Sequence, residues 1–444
     1  MPNLQVLRPL LNLFTFMRYT APDKELFIRN RQAFCRELKP GSVAVFNAND
    51  ILPTNADGTL RFIQNSDLFY LSGIDQEESI LVLFPDFVNE AMREILFLKQ
   101  TNEHIAVWEG HKYTQEEARE ASGIQHIQWL SAFDSVFNML MAEAEHVYLN
   151  TNEHLRASVE VESRDARFIK QCQSRYPLHK YERSAPIMHQ LRAVKSDLEI
   201  AVLQQACNIT AKGFDRVMKF TRPGVWEYEI EAEYLHEFVR NRSRGFGYEP
   251  IVASGANACV LHYIDNQAQC KDGDLLLMDV GAEYGNYKSD MTRTIPVNGT
   301  FTDRQRAVYN AVLRVQREAF KLLRPGNTIK EYHAEVGQLM ERELIELKLL
   351  DAREVAAQDP KKPLYKKYFM HGTSHHLGLD VHDVGNIYRP FEPGMVFTVE
   401  PGIYIPDEQI GIRLENDVVI TEKGIHDLMG DIPIDPEAIE SHMN

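Results

Sequence analysis

The sequence has few cysteines, no long apolar run and no excess of basic residues, and each absence excludes a class of protein. Its five cysteines show no C-x-x-C spacing, which predicts reduced thiols in a cytoplasmic protein: Cys35, Cys172, Cys207, Cys259 and Cys270. No stretch approaches ~18 apolar residues, so no transmembrane helix is expected. Acidic residues (64) outnumber basic ones (48), and the net charge of −16 argues against nucleic acid or an anionic membrane as a partner.

The short motifs of several common enzyme classes are also missing. No H-E-x-x-H zinc motif, G-x-S-x-G nucleophile elbow, P-loop or G-x-G-x-x-G fingerprint occurs in the chain. Gly372 follows His371 where the zinc motif would need a glutamate, and further glycines interrupt the helix that this motif requires.

The chain length predicts two domains, because 444 residues are too many for one typical core. Residues 1–21 are interpreted as an N-terminal tail; a cryptic signal peptide and a start at Met17 are the alternatives. Strand-like runs alternate with helical patterns over 22–188, which predicts an α/β domain. The remainder, 189–444, is assigned to a second domain of α+β type.

The second domain is predicted to open with a long amphipathic helix. Ser196 and Glu199 form a capping box, and apolar residues keep helical spacing behind it. Further helices are predicted over 226–241, 303–323 and 329–349. A strand, a turn and a second strand are expected over 250–263, and the charged segment 351–363 is interpreted as a loop.

Two acids stand at the ends of buried strands between residues 275 and 297. The apolar run Leu275–Met278 predicts a strand that ends at Asp279, and a second strand, Thr292–Val297, follows Asp290. An unpaired charge at the end of a buried strand is costly, and a bound cation would offset that cost. A surface hairpin with solvated acids is the alternative for any one such pair.

The same arrangement recurs near the C-terminus. Glu400 stands between two glycines at the spacing that Asp279 has, six residues after the first and two before the second. A second acid, Glu415, follows it as Asp290 follows Asp279. An Arg-Pro-Gly tripeptide also opens a helical pattern in both halves. Two copies predict a duplicated domain with a pseudo-two-fold axis, in which two acids from each half meet at one metal centre.

Histidines are concentrated between the two acid pairs. Four of the 16 lie in the block HGTSHHLGLDVHDVG, which begins at His371 and contains His375 and His382. A histidine-rich surface loop is the alternative, but four acids in two matched pairs favour a metal site. Taken alone, His262 is more typical of a structural histidine than of a functional one.

These features resemble the pita-bread metallopeptidases, a superfamily that includes methionine aminopeptidases, prolidases and aminopeptidase P. The resemblance rests on the 11-residue spacing from Asp279 to Asp290, the histidine block, and the segments VEPGIYI and GIRLENDVVIT. The histidine block and the N-terminal segment FIQNSDLFYLSG are most similar to aminopeptidase P. The similarity extends over roughly residues 22 to 425.

The resemblance implies a site that holds two divalent ions. Asp279, Asp290, His375, Glu400 and Glu415 match the metal ligands, with Asp279 and Glu415 bridging both ions, and Glu400 also matches the general base. Four carboxylates and one imidazole form a mostly oxygen donor set, which suits Mn²⁺, with Co²⁺, Zn²⁺ or Fe²⁺ as alternatives.

Further residues match positions that assist catalysis in the family. His262, His371 and His382 match positions that contact the substrate or the tetrahedral intermediate. Arg413, two residues before a bridging acid, is expected to orient a carboxylate.

The implied activity is release of the N-terminal residue from peptides with proline in second position, by attack of a metal-bound hydroxide. A prolidase that cleaves Xaa-Pro dipeptides is one alternative. A non-catalytic binding module of the same fold is another, which the presence of all five ligands disfavours. The expected partners are peptide substrates and further copies of the chain, in a dimer or tetramer.

Overall fold

The computed structural model describes residues 18–157 and 159–444. The described chain forms two compact units that divide between Arg192 and Ala193. The predicted domain limits, 22–188 and 189–444, stay predictions, and most of the predicted tail lies outside the described residues. None of the helices within the described ranges combines the length and the apolar character needed to span a bilayer.

The first unit is built on a six-stranded mixed sheet with the strand order β4-β3-β2-β1-β5-β6. Its strands are β1 (Ser42–Asn47), β2 (Ile80–Leu83), β3 (Glu94–Leu98), β4 (His126–Trp129), β5 (His146–Leu149) and β6 (Lys180–Arg183). Its helices are α1 (Lys24–Arg36), α2 (Ser66–Ser72), α3 (Glu103–Glu109), α4 (Gln115–Ser122), α5 (Phe133–Glu143), α6 (Arg164–Arg175) and α7 (Ala185–Ala193). Every residue of β1 is buried, as expected for a central strand that is covered on both faces.

One hydrophobic core of this unit lies between the sheet and helices α5 and α6. Phe133 stacks on Phe137 with ring centroids 5.2 Å apart, and Phe97 of β3 meets Phe133 edge-on. Phe168 of α6 packs against the same pair of rings. The predicted alternation of strands and helices is thus confirmed as an α/β unit.

The second unit contains longer helices and several small antiparallel sheets. Its helices are α8 (Asp197–Phe220), α9 (Glu227–Arg240), α10 (Asp303–Leu322), α11 (Ile329–Glu346), α12 (Ala352–Ala356) and α13 (Pro436–Met443). Its strands are β7 (Ile251–Ser254), β8 (Leu275–Val280), β9 (Glu283–Tyr284), β10 (Tyr287–Lys288), β11 (Met291–Pro296), β12 (Val396–Val399), β13 (Gly402–Ile405), β14 (Ile410–Arg413), β15 (Asn416–Thr421) and β16 (Gly424–Asp427). One sheet has the order β11-β8-β7 and another β12-β15-β16. The capping box predicted at Ser196 and Glu199 opens α8.

The predicted duplication is confirmed by equivalent hydrogen bonds in the two halves. The Arg-Pro-Gly turns that precede α9 and α11 end at Gly224 (φ +96°) and Gly326 (φ +89°), a backbone region that favours glycine. The Gly224 N–H donates to the carbonyl of Cys270 (2.8 Å), and the Gly326 N–H donates to that of Phe391 (3.0 Å). In each half, this hydrogen bond therefore links the turn between two long helices to the segment before a strand. That strand, β8 or β12, positions the first acid of its half.

Two predicted elements of this unit are wrong in detail. The second strand expected at 259–263 is replaced by a 3₁₀ turn, Gly255–Cys259, followed by an exposed turn. Strand β8, which carries Asp279, is paired with β7 on one side and β11 on the other, so β8 itself offers no edge to a further strand. The segment 351–363 is not only a loop, because α12 forms where the Asp351 side chain accepts hydrogen bonds from the backbone N–H groups of Arg353 and Glu354.

Candidate active site

The first acid pair is held by the hairpin that joins β8 and β11. Asp279 lies on β8 directly opposite Thr292, and Asp290 immediately precedes β11. The two strands approach closely at Gly281, where an added Cβ would lie only 1.7 Å from the carbonyl oxygen of Ser289. Glycine is therefore required at this position to bring the two carboxylates together.

The second acid pair follows β12 and precedes β15, which are antiparallel neighbours. Glu400 comes one residue after β12, and Glu415 one residue before β15. The Glu415 N–H donates to the backbone carbonyl of Thr292 (3.0 Å), and the Thr292 hydroxyl donates to Glu415 Oε2 (2.6 Å). These bonds join the two halves of the duplication at the acids themselves.

His375 is the imidazole at the centre of this cluster. Ligand atoms of Asp290, His375 and Glu415 lie within 4.8 Å of one another. His375 Nε2 is 3.4 Å from Asp290 Oδ2 and 3.6 Å from Glu400 Oε1. Its other nitrogen, Nδ1, lies 3.0 Å from the backbone carbonyl of His376, a contact that orients Nε2 toward the carboxylates.

The carboxyl groups of this cluster disfavour one another's charge. Burial, followed by the nearby charge of Asp279, raises the pKa of Asp290 well above its usual range. Burial and the charges of Asp290, Glu400 and Asp279 do the same to the pKa of Glu415. Burial raises the pKa of Glu400 to about 7, although the charge of His375 works in the opposite direction. Such a set of buried oxygen donors fits divalent cations, whose charge would offset this repulsion.

Asp279 is held by two side chains from distant parts of the sequence. Its Oδ2 accepts a hydrogen bond from Arg413 (2.6 Å), and the Tyr248 hydroxyl lies 2.6 Å from its Oδ1. The same hydroxyl lies 2.5 Å from Asp290 Oδ1. Arg413 also donates to the hydroxyl groups of Thr292 (3.1 Å) and Tyr404 (2.8 Å). Arg413 thus contacts the predicted ligand Asp279 directly, and it also contacts the Thr292 hydroxyl, which donates to the predicted ligand Glu415.

The three histidines predicted as helpers lie in different settings. His371 has Nε2 at 2.8 Å from the Tyr404 hydroxyl and Nδ1 at 3.8 Å from Glu400 Oε2. Burial, with the charge of Arg413, lowers the pKa of His371 to about 3, so its ring is neutral. The His382 ring packs edge-on against that of His375, with centroids 4.5 Å apart.

His262 is the predicted site residue that the structure does not bring into the cluster. It lies in the exposed turn that follows the 3₁₀ segment Gly255–Cys259. In the described part of the chain, none of the cluster contacts given above includes it.

Several residues of the site were not predicted from the sequence. Tyr248 and Tyr404 contact predicted residues through their hydroxyl groups, and the Asp417 carboxylate accepts a hydrogen bond from the backbone N–H of Asp290 (2.9 Å). Asp417 has a usable sequence signal, because it lies two residues after a predicted ligand in an acidic segment. The tyrosines have none, since their roles depend on contacts between segments far apart in the chain.

Comparison with known proteins agrees with this geometry. Residues 201–422 match metallopeptidase family M24, and residues 27–148 match the aminopeptidase P N-terminal domain. The chain is 39% identical to the Xaa-Pro aminopeptidase of Escherichia coli K12 over 440 residues, covering 95% of this chain and 98% of that protein.

Two solved structures show the same similarity over the whole chain. Aminopeptidase PepP of Pseudomonas aeruginosa superposes with a TM-score of 0.87 at 32% identity, covering 95% of this chain and 98% of that one. Zinc-substituted E. coli aminopeptidase P in complex with product superposes with a TM-score of 0.84 at 38% identity, covering 96% and 99%. The chain therefore belongs to metallopeptidase family M24, in its aminopeptidase P branch.

Proposed function

We propose that this chain removes the N-terminal residue from peptides whose second residue is proline, and that it uses two divalent metal ions to do so. The observation that carries the proposal is the meeting of acids from both halves of the duplication around His375. The similarity to Xaa-Pro aminopeptidases over nearly the whole chain supports the choice of substrate.

The metal ions would be held by Asp279, Asp290, His375, Glu400 and Glu415. When bound, such a pair of ions supplies a water of lowered pKa and polarises the scissile carbonyl. We propose Mn²⁺ as the resident ion because the donors are mostly carboxylate oxygens, with Co²⁺, Zn²⁺ or Fe²⁺ as the alternatives. Metal analysis of protein purified without added metal tests this choice.

The remaining side chains are assigned roles by their contacts. Glu400 is proposed to accept the proton of the attacking water and to deliver it to the leaving imide nitrogen. Arg413 holds one oxygen of Asp279, so the other oxygen keeps a fixed direction. His371 is kept neutral, and its one N–H, on Nδ1, donates to the Gly372 carbonyl (2.7 Å), so Nε2 accepts from the Tyr404 hydroxyl and offers a lone pair at the edge of the cluster.

His262 and His382 are both proposed to bind substrate. His382 lies against the ring of His375 and so borders the ligand set. His262 lies in an exposed turn, where a peptide can reach it.

Substrate length decides between this function and that of a prolidase. A prolidase closes the site behind the proline and needs a cation for its free carboxylate. Arg413 is already engaged by Asp279, Thr292 and Tyr404, so it is not free for that task. We therefore expect Gly-Pro-Ala to be cleaved at the Gly-Pro bond with a higher kcat/KM than Gly-Pro.

Three peptides provide the test, with Gly-Ala-Ala as the control for proline specificity. A preference for Gly-Pro would identify a prolidase. Equal cleavage of Gly-Ala-Ala and Gly-Pro-Ala would contradict proline specificity altogether.

The proposal includes a cytoplasmic location and a homo-oligomer. All five cysteines lack a disulfide partner, which is typical of a reducing compartment. Closed homo-oligomers are common among soluble enzymes, and a dimer or tetramer is proposed. Cell fractionation and light scattering of the purified protein test these two points.

A further inference from the structure

Glu227 is a fully buried carboxylate whose hydrogen-bonding partners are all neutral. Its Oε1 accepts from the Ser254 N–H (2.7 Å), the Ser254 hydroxyl (2.7 Å) and the Asn257 amide (3.2 Å). Its Oε2 accepts from the Tyr263 hydroxyl (2.8 Å) and the Ala268 N–H (2.8 Å). Five donors satisfy the acceptor capacity of an ionised carboxylate, so this charge can be buried without a cation.

These donors lie on both sides of His262 in the sequence. Ser254 and Asn257 precede it, whereas Tyr263 and Ala268 follow it. One carboxylate thus holds the beginning and the end of the segment 254–268, whose exposed tip carries His262.

A second buried side chain fixes the same segment. Asn266 donates to the backbone carbonyl of Pro250 (3.0 Å) and to Glu231 Oε2 (2.9 Å), and its Oδ1 accepts from the Val252 N–H (2.9 Å). Glu231 lies one helical turn after Glu227, so both acids face the segment from the same side of α9.

The segment is also fixed relative to the acid cluster. It begins at the end of β7, and β7 pairs with β8 so that Ile251 is opposite Asp279. Loss of the hydrogen bonds between Ser254 and Glu227 would therefore change the position of His262 relative to Asp279.

We propose that Glu227 is a positioning residue that sets the place of His262 for the reaction. This inference rests on the proposed function, in which His262 contacts the substrate. Glu227 itself belongs to α9 and is not among the proposed metal ligands, so its effect passes through the segment that it holds. A displacement of about 1 Å in such a segment is enough to cost roughly 100-fold in rate.

The substitution Glu227→Gln changes this network with almost no change in size. An amide offers one acceptor oxygen in place of two, and its NH₂ group then faces a backbone N–H. Turned one way it meets the Ser254 N–H, and turned the other way it meets the Ala268 N–H. In either orientation, therefore, one end of the segment 254–268 loses its backbone hydrogen bond to the side chain at position 227.

A double-mutant cycle with His262→Ala tests the inference in the metal-loaded enzyme. We expect Glu227→Gln to lower kcat for Gly-Pro-Ala by about 10- to 100-fold with unchanged metal content. In the His262→Ala background, the same substitution should lower kcat by less than about twofold, because the group that it positions is already absent. Tyr263→Phe removes one of the five hydrogen bonds and keeps the carboxylate. It should lower kcat by a smaller factor, and this loss should likewise require His262. Tyr263→Phe replaces Glu227→Gln in the cycle if the Glu227 variant does not fold.

Glu229→Gln is the matched control. Glu229 lies at the same end of α9, and its carboxylate accepts from the Trp226 N–H (2.8 Å) as a helix cap, without a bond to the segment. It should change kcat by less than about twofold in either background. Equal losses for Glu227→Gln with and without His262 would overturn the inference alone. An undiminished kcat for His262→Ala would overturn the proposed role of His262 and, with it, the inference.

Discussion

The Tyr248 hydroxyl lies within hydrogen-bond distance of two carboxylates, although it carries a single proton. It can donate to Asp279 or to Asp290, but not to both, so a second proton must be shared between them when no cation is bound. Burial, followed by the charge of Asp279, raises the pKa of Asp290, which favours a proton held within this pair of carboxyl groups in the metal-free protein. Metal loading should therefore release protons at neutral pH.

His375 and His382, whose rings are in contact, are expected to respond differently to substitution. His375→Ala removes a nitrogen donor from the cluster, so metal content should fall together with rate. His382→Ala should leave the metal bound and lower kcat by about 10²–10⁴-fold. Elemental analysis beside steady-state kinetics distinguishes the two variants. Loss of metal from the His382 variant would show that His382, too, supports the ligand set.

Asp165 in the first unit provides a pH-dependent stability prediction that is independent of metal. Burial raises the pKa of Asp165 to about 7, although the hydrogen bond from Asn47 Nδ2 (2.8 Å) lowers it. An acid whose pKa is raised on folding stabilises the protein below its unfolded pKa, and this contribution is lost as pH rises toward 7. Asp165→Asn should therefore raise the free energy of unfolding by about 1–2 kcal/mol at pH 8, with a difference that shrinks toward pH 4.

Thermal unfolding of both proteins across this pH range is the measurement. Asp134→Asn, at an exposed position in the first turn of α5, is the control for the loss of one negative charge. A gain from Asp165→Asn that is larger at pH 4 than at pH 8 would contradict the assigned direction of the shift.

The strand pairs determine where the acids stand. Antiparallel pairing of β8 with β11, and of β12 with β15, brings together residues that are 11 or 15 positions apart in the chain. Strands β8 and β12 could be predicted from apolar runs that end in an acid, because a run of buried residues is visible in consecutive positions of the sequence. The turn after Cys259 was predicted as a strand because nothing in the local sequence shows that both edges of β8 are already occupied. Tyr248 was missed for the same reason, since its partners lie in other elements.

The β8–β11 hairpin leaves no room for a side chain at Gly281. Gly281→Ala would place a methyl group 1.7 Å from the Ser289 carbonyl oxygen, so the strands must separate. Over-packing typically costs about 1–3 kcal/mol, and here the obstructing atom is backbone. We expect a lower melting temperature and reduced metal content, although both aspartates remain in place.

Gly430→Ala is the control for this substitution. The nearest atom to its added methyl group would be 3.6 Å away, an ordinary contact. Metal content of the Gly281 variant equal to that of the Gly430 variant would show that hairpin spacing does not govern the site.

The acid cluster lies in the second unit, Ala193–Asn444. Removing the metal should therefore destabilise that unit and leave the first unaffected. A ligand present at 100 times its dissociation constant stabilises the folded state by about 2.7 kcal/mol, which corresponds to roughly 5–10 °C in a unit of this size. Hydrogen exchange after exhaustive chelation should show faster exchange in β8, β11, β12 and β15, with the sheet β1–β6 unchanged.

Readdition of Mn²⁺ should restore both the exchange protection and the activity, whereas Mg²⁺ at the same concentration is the control for ionic strength. Full turnover by protein shown to be free of metal would contradict the dimetal proposal. An equal loss of protection in β1–β6 would show that the two units do not respond separately.

The duplicated architecture also has an evolutionary consequence. Neither half contains all four carboxylates, because Asp279 and Asp290 belong to the first half and Glu400 and Glu415 to the second. A free-standing ancestor of one half could have completed such a centre only by pairing with an identical copy of itself. Gene fusion would then have turned a symmetric homodimer into one polypeptide and released its halves from identity. The aspartates of one half, and the glutamates and histidine of the other, are the kind of difference that such divergence would leave.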